Sequence, residues 1–168
     1  PFLYRDKMTD YLNNFCQNFK RKNNLEYFVK FPNAFKGKAN DLDFNSFVNN
    51  INENKLSFPL IVKYNSKVTE DNHLLSIIIN EVGVKNIIEF FRLKKENEMN
   101  CVVTNFVNHG GFFYKTFFIN NEFYLVKRPS IPDINTENNK IIDGYFSFNT
   151  KDLQKKNYFD KYFTKNKQ

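Results

Sequence analysis

Two β-rich aromatic runs, Phe112–Ile119 and residues 122–126, are separated only by Asn120-Asn121. Asn tolerates the left-handed backbone that a tight two-residue turn requires, so the pattern predicts a β-hairpin. A chain with this signal must contain antiparallel sheet. Its first half keeps a different period. Met8, Tyr11, Leu12, Phe15 and Phe19 recur at three- and four-residue spacing and predict an amphipathic helix over residues 6–22. Helices and strands mix without strict β-α-β alternation. The expected class is therefore α+β, an antiparallel sheet with packed helices.

The remaining segments fill in this outline. Residues 25–31 are a short apolar run ending at Pro32 and predict a strand, while residues 35–40, holding Gly37, read as a loop. Asp43 precedes a helical stretch carrying Phe44, Phe47, Val48 and Ile51. Pro59 opens a strand through Leu60, Ile61 and Val62 that ends in Lys63, a position where Pro is tolerated. Residues 65–72 form a polar loop without Gly or Pro. His73 is expected to head a helix through Leu74, Leu75, Ile77, Ile78 and Ile79, ending near Gly83, and a second helix is expected over residues 84–96. Residues 101–107 read as a strand, Gly110-Gly111 as a turn, 133–139 as an Asn-rich loop, 141–148 as a strand and 152–163 as a terminal helix.

Composition narrows the possibilities. With 41% hydrophobic and 18% aromatic residues the chain is too apolar to be disordered. No apolar run approaches the ~18 residues of a membrane span. Two cysteines, Cys16 and Cys101, can neither staple a secreted scaffold nor cage a zinc. The net charge of +7 favours an anionic partner. Lys nevertheless outnumbers Arg 21 to 4, and Asn, Lys, Phe, Ile and Tyr make 91 of 168 residues. All five have A/T-rich codons, so much of the bias is read as genomic. A nucleic-acid-binding module is the competing reading of charge and aromatics. Against it, the aromatics fall at core spacing, no RNP-like strand is present, and the one dense basic cluster, residues 151–167, is broken by Asp152 and Asp160.

Three cations stand out from the scattered lysines. Lys63 and Lys115 each follow apolar or aromatic strand residues, and Arg128 lies on a third strand before Pro129-Ser130. A groove lined by such cations suits phosphate, because fixed charge in a partly dry cleft gains more than it does in water. His73 and His109 read as surface or capping residues, Cys101 as buried in a strand and Cys16 as a helix residue. Neither GxxxxGK[ST] nor GxGxxG occurs, which excludes the P-loop and dinucleotide folds.

The segments F-P-L-I-V-K (58–63), N-H-L-L (72–75), C-V-V-T-N-F-V-N-H-G-G-F-F-Y-K (101–115) and V-K-R-P-S (126–130) occur in an order that resembles the inositol 1,3,4-trisphosphate 5/6-kinase (inositol-tetrakisphosphate 1-kinase) family, with its ATP-grasp fold. Y-R-D-K (4–7) looks like the family's D-R-x-K, and the resemblance covers residues 4–130. It implies roles residue by residue. Lys63 would contact nucleotide phosphates, Arg5 would reach the nucleotide from outside the core, and Thr104, Asn105, Phe106 and Val107 would be the hinge beside the adenine edge. His73 and Lys115 would face the inositol phosphate as catalytic residues, Lys115 lying between nucleotide and sugar. Arg128 and Ser130 would sit near the nucleotide. The implied cofactors are ATP and Mg2+.

Two departures from the family pattern are visible. Val68-Thr69 replaces a His-Gly pair in the phosphate loop, and the family's magnesium-binding carboxylates are not found. Asp133-Ile134-Asn135 spells D-x-N but lacks the following F-P and is read as a decoy. The chain starts at Pro1 and carries no signal-peptide pattern, so it is expected to be the middle of a kinase, incomplete at both ends. Residues 1–57 would flank the core, 58–130 would form the central ATP-grasp module, and 131–168 would begin a C-terminal subdomain. Alone, such a piece is expected to be inactive; the whole would be a cytoplasmic, monomeric enzyme acting on inositol polyphosphate, with no nucleic acid or membrane partner. A non-catalytic nucleotide- or inositol phosphate-binding homologue and another ATP-grasp ligase are the remaining alternatives.

Overall fold

The computed structural model describes residues 14, 32–38, 41–65, 73–94, 100–135, 141, 143–155 and 158–162. Arg5, Cys16, the helix expected over 6–22, the strand expected over 25–31 and the Val68-Thr69 loop lie outside the described residues. Among the described residues two helices and seven strands follow in chain order: β1 (Ala34–Lys38), α1 (Phe44–Glu53), β2 (Leu60–Asn65), β3 (Leu74–Ile78), α2 (Glu81–Lys94), β4 (Asn100–Asn105), β5 (Phe112–Ile119), β6 (Glu122–Pro129) and β7 (Tyr145–Asn149). The class is α+β, as the sequence indicates.

Five strands form an antiparallel sheet in the order β1-β4-β2-β3-β7. The sheet draws on all three stretches of chain: β1 lies before residue 58, β2 to β4 within 58–130, and β7 after it. Alternation along β2 sends Leu60, Val62 and Tyr64 to one face, where all three are fully buried. There they meet Phe47 and Ile51 of α1 and Val84, Ile87, Ile88 and Phe91 of α2. Edge-on ring pairs, Phe35 with Phe47 at 5.1 Å and Tyr64 with Phe91 at 5.7 Å, join sheet to helices. Ile77, Phe146 and Phe148 point to the opposite face and pack under Ile131, Ile134 and Phe159. Ile61 also faces this second side, which is only partly covered, and the cleft described below opens there.

Helix α1 starts where its capping residues dictate. Asp43 Oδ1 accepts the Ser46 N–H at 2.7 Å, and Ser46 Oγ accepts the Asp43 N–H at 3.0 Å, a reciprocal cap. The Ser46 backbone bond holds the Asp43 carboxyl below its ordinary range. Asn80 performs the same task for α2, its Oδ1 accepting the Gly83 N–H at 3.1 Å.

Four expectations are corrected. Residues 34–38 form a strand, not a loop: β4 supplies a complete pairing partner, and Gly37 opposite Cys101 lets the chain pass Leu42 closely. Leu74–Ile78 is a strand, not a helix. A short apolar run looks alike in both states, and pairing to β2 on one side and β7 on the other decides between them. Gly83 does not end a helix but lies in the first turn of α2, against Gly144. The terminal helix is replaced by two 3-10 turns, Thr150–Gln154 and Tyr158–Lys161, because Phe159 must be buried on Phe146 and Phe148 while Tyr162 stacks on Phe146 at 4.8 Å.

The hairpin forms as its sequence requires. Strands β5 and β6 pair from Phe112↔Pro129 to Ile119↔Glu122, and Asn120 and Asn121 take positive φ values of 51° and 64°. It is a separate two-stranded sheet. The expectation that the aromatics belong to a core fails here: Tyr114, Phe118, Phe123 and Tyr124 are exposed, because two strands alone shelter neither of their faces.

Candidate functional site

The cleft has a volume of about 760 Å³ and lies between the open face of the five-stranded sheet, the base of the hairpin and the turn after β7. Its apolar lining is made by Ile61, Leu75, Phe106, Phe113, Ile131 and Phe148. Its polar lining is cationic or neutral: His73, His109, Lys115, Arg128, Ser130, Thr150, Lys151 and Gln154. No Asp or Glu is among the described residues that line it. An apolar slot with convergent cations suits a ligand that is flat and apolar at one end and anionic at the other.

Register explains how the hairpin contributes. Phe113 pairs with Arg128 and Lys115 with Val126, so period-two alternation turns Phe113, Lys115 and Arg128 toward the same side. Lys115 Nζ sits 4.9 Å from the Phe117 ring on that face. Arg128 Nε is buried and has no hydrogen-bond partner in the structure. An unsatisfied buried donor costs about 1–3 kcal/mol, a cost that an incoming anion removes.

Two loops are tied together at the cleft edge. The His109 N–H and the Gly110 N–H both donate to Asp133 Oδ1, at 2.9 and 2.8 Å. Asn108 and Ile134 exchange two further bonds, and the Ser130 N–H donates to the Gly111 carbonyl at 2.9 Å. The His109 ring bridges from the Val107 carbonyl, 2.7 Å from Nδ1, to Ser130 Oγ, 2.6 Å from Nε2. Since a carbonyl only accepts, Nδ1 carries a proton, and Nε2 and Ser130 Oγ share the second bond. Across the cleft, His73 Nδ1 meets Thr150 Oγ1 at 3.1 Å.

His73, Phe106, Lys115, Arg128 and Ser130 thus come together around one cavity. Lys63, Thr104, Asn105 and Val107 do not line it. Lys63 is half-buried on β2, two residues beyond Ile61. Thr104 is buried inside the sheet and its Oγ1 donates to the Asn33 carbonyl at 2.9 Å. Asn105 Nδ2 donates to Ser57 Oγ at 3.1 Å, and the Phe106 N–H is taken by the Pro59 carbonyl at 2.8 Å. Sequence reasoning left out His109, whose signal lay in its place between the N-F-V-N run and the Gly pair. It also left out Thr150, Lys151 and Gln154, which carried no signal because the fold alone brings residue 150 to residue 73.

Among the described residues no three His, Cys, Asp or Glu side chains come together. Asp133, first residue of the D-x-N triplet, spends Oδ1 on two backbone N–H groups. Among the described residues no helix is long and apolar enough to cross a membrane.

Comparison with known proteins identifies the family. The model of the inositol 1,3,4-trisphosphate 5/6-kinase ATP-grasp domain matches residues 39–162. An inositol-tetrakisphosphate 1-kinase 1 of Zea mays is 30% identical over 94 residues, which is 55% of this chain and 25% of the maize protein. An inositol-tetrakisphosphate 1-kinase of Xenopus laevis is 28% identical over 81 residues, 48% of this chain and 18% of the frog protein. The matched stretch therefore spans a quarter or less of these relatives. The family match takes in β2, β3, the hairpin and the turn after β7, all of which build the cleft. The chain belongs to the inositol 1,3,4-trisphosphate 5/6-kinase family, as part of its ATP-grasp domain.

Proposed function

We propose that the cleft holds ATP in an inositol polyphosphate kinase, where the γ-phosphoryl group passes to a hydroxyl of an inositol tris- or tetrakisphosphate. One observation carries the reading: the buried, unpartnered Arg128 Nε in a cleft that also holds Lys115, His73 and Ser130 and no carboxylate. Phosphoryl transfer needs position and charge neutralisation more than covalent chemistry. In this reading Ile61, Leu75, Phe106 and Phe148 take the adenine, with Val107 at its edge. Arg128 and Ser130 hold nucleotide phosphates, and Lys63 and Arg5 reach the same nucleotide from β2 and from outside the described residues. Lys115 stands between nucleotide and sugar, and His73 faces the inositol phosphate. The protein works in the cytoplasm as a monomer.

Isothermal titration of the chain with ATP tests this. Saturable binding that is weaker by tenfold or more for adenosine, and for Arg128→Gln with ATP, is expected. Binding of ATP that is indifferent to Arg128→Gln, or no binding at all, overturns the reading. Incubation with ATP, magnesium and inositol trisphosphate then separates a kinase from a binding homologue: phosphate transfer by a protein containing this chain supports the first, and its absence from a full-length protein that binds both ligands supports the second.

A further inference from the structure

We infer that Lys151 is an additional anion-contacting residue of the cleft, one that makes it select a polyphosphorylated ligand over the same ligand without phosphates. The inference rests on the nucleotide reading above and deepens it. Lys151 lines the cavity on the wall contributed by the turn after β7, with Thr150, Leu153 and Gln154 beside it. The resemblance read from the sequence ends at residue 130 and gives this turn no role.

The backbone of the turn is fixed before any ligand arrives. Asn149 Oδ1 accepts the Lys151 N–H at 2.9 Å, and Thr150 Oγ1 is bonded to His73, just ahead of the neighbouring strand β3. Phe148, just ahead of it, is buried against Phe159. A side chain rooted on a pinned turn loses less freedom on binding than one on a loose loop. The neighbouring charges are arranged so that this cation is available. Asp152, the nearest acid in the chain, is paired with Lys155 at 2.6 Å. Lys155 does not line the cleft, whereas Lys151 does. The hairpin supplies Lys115 and Arg128 from another segment, so an anion in the cavity meets cations from two separate parts of the chain. Opposed cations of this kind strengthen binding to a multiply charged group and do nothing for an uncharged one.

The test measures ATP and adenosine affinities by titration calorimetry for the wild-type chain, Lys151→Gln, Lys151→Arg and Lys155→Gln, each at low and high salt. Lys151→Gln is expected to weaken ATP about tenfold, the size of one charge-assisted contact, while leaving adenosine within about twofold. Lys151→Arg keeps ATP affinity within about threefold, Lys155→Gln changes nothing, and the salt dependence of ATP binding shrinks in Lys151→Gln alone. Lys151 is exposed, so the thermal midpoint is expected to stay put and a folding defect is not confused with a binding one. Wild-type ATP binding that Lys151→Gln leaves intact, or that Lys155→Gln weakens equally, overturns this inference and spares the nucleotide reading. A wild-type chain that binds no ATP overturns both.

Discussion

His109 Nε2 and Ser130 Oγ lie 2.6 Å apart, joining the loop after β4 to the end of β6 across 21 residues of chain. Because the same ring also reaches the Val107 carbonyl, it holds both loops at the cleft edge. His109→Ala and Ser130→Ala should each lower stability by about 1 kcal/mol, and the double variant by less than the sum. Urea unfolding of the four proteins gives a coupling of about 0.5–1.5 kcal/mol. Strict additivity means the contact does not stabilise the chain.

Asp133 makes a comparable contribution through a different chemistry. One carboxylate oxygen serves two backbone donors, from His109 and Gly110. Asp133→Ala should destabilise by about 1–2 kcal/mol in urea. If Asp133 instead worked as a metal ligand, added magnesium would stabilise the wild type more than Asp133→Ala; equal response is expected.

Gly83 and Gly144 touch through their backbones. A Cβ on Gly83 would fall inside contact distance of the Gly144 carbonyl oxygen, and Gly144 itself has φ +65°. Gly83→Ala should cost about 3 kcal/mol or more, since backbone must move to admit it. Gly111→Ala, also at positive φ but 4.0 Å from its nearest new neighbour, should cost only about 1–2 kcal/mol. Similar thermal midpoints for the two variants would refute the packing account.

Alkali should unfold the chain ahead of a protein without such buried groups. Burial pushes the Cys101 thiol from 9.0 up to about 12, and burial also pushes the Tyr64 hydroxyl up. Both hold their protons more tightly folded than unfolded. Their contribution is therefore fully present below pH 9 and is lost as pH rises from there toward 12, by at most about 1.4 kcal/mol per pH unit for each group. Urea midpoints between pH 8 and 11 check this. Cys101→Ala should flatten the alkaline limb whatever its baseline stability. In a Cys16→Ala background, a thiol reagent should modify Cys101 no faster than the protein unfolds.

Arg128 offers a trade between stability and binding. Replacing it with Met removes a buried donor that lacks a partner, so unfolding free energy without ligand should stay level or rise by about 1 kcal/mol. ATP binding should fall by more than tenfold in the same variant. A large loss of ligand-free stability would show that the guanidinium supports the fold.

How much of this was legible in the chain depends on whether a signal was local. The cap of α1 at Asp43, the paired asparagines of the hairpin turn and the Gly110-Gly111 turn, with φ values of 70° and 74°, each follow from a few neighbouring residues. So did Lys115 and Arg128, which the hairpin register turns to one side. Residues 74–78 and 34–38 are not legible locally, because their state is set by strands far away in sequence: Leu75 pairs with Phe148, and Gly37 with Cys101.

The sequence by itself determined the antiparallel hairpin, the amphipathic helix that starts after Asp43, the excess of cations and the ordered segments that carry the family likeness. Tertiary structure alone decided which cations share a cavity. It brought Thr150 to His73, set Lys151 on the wall of the cleft, locked His109 between Val107 and Ser130, and left Arg128 Nε buried without an acceptor. The reason is range. Periodicity and caps act over a few residues, whereas a cavity lined by residues 61, 73, 109, 128 and 151 exists only after the sheet closes and its second face is partly covered.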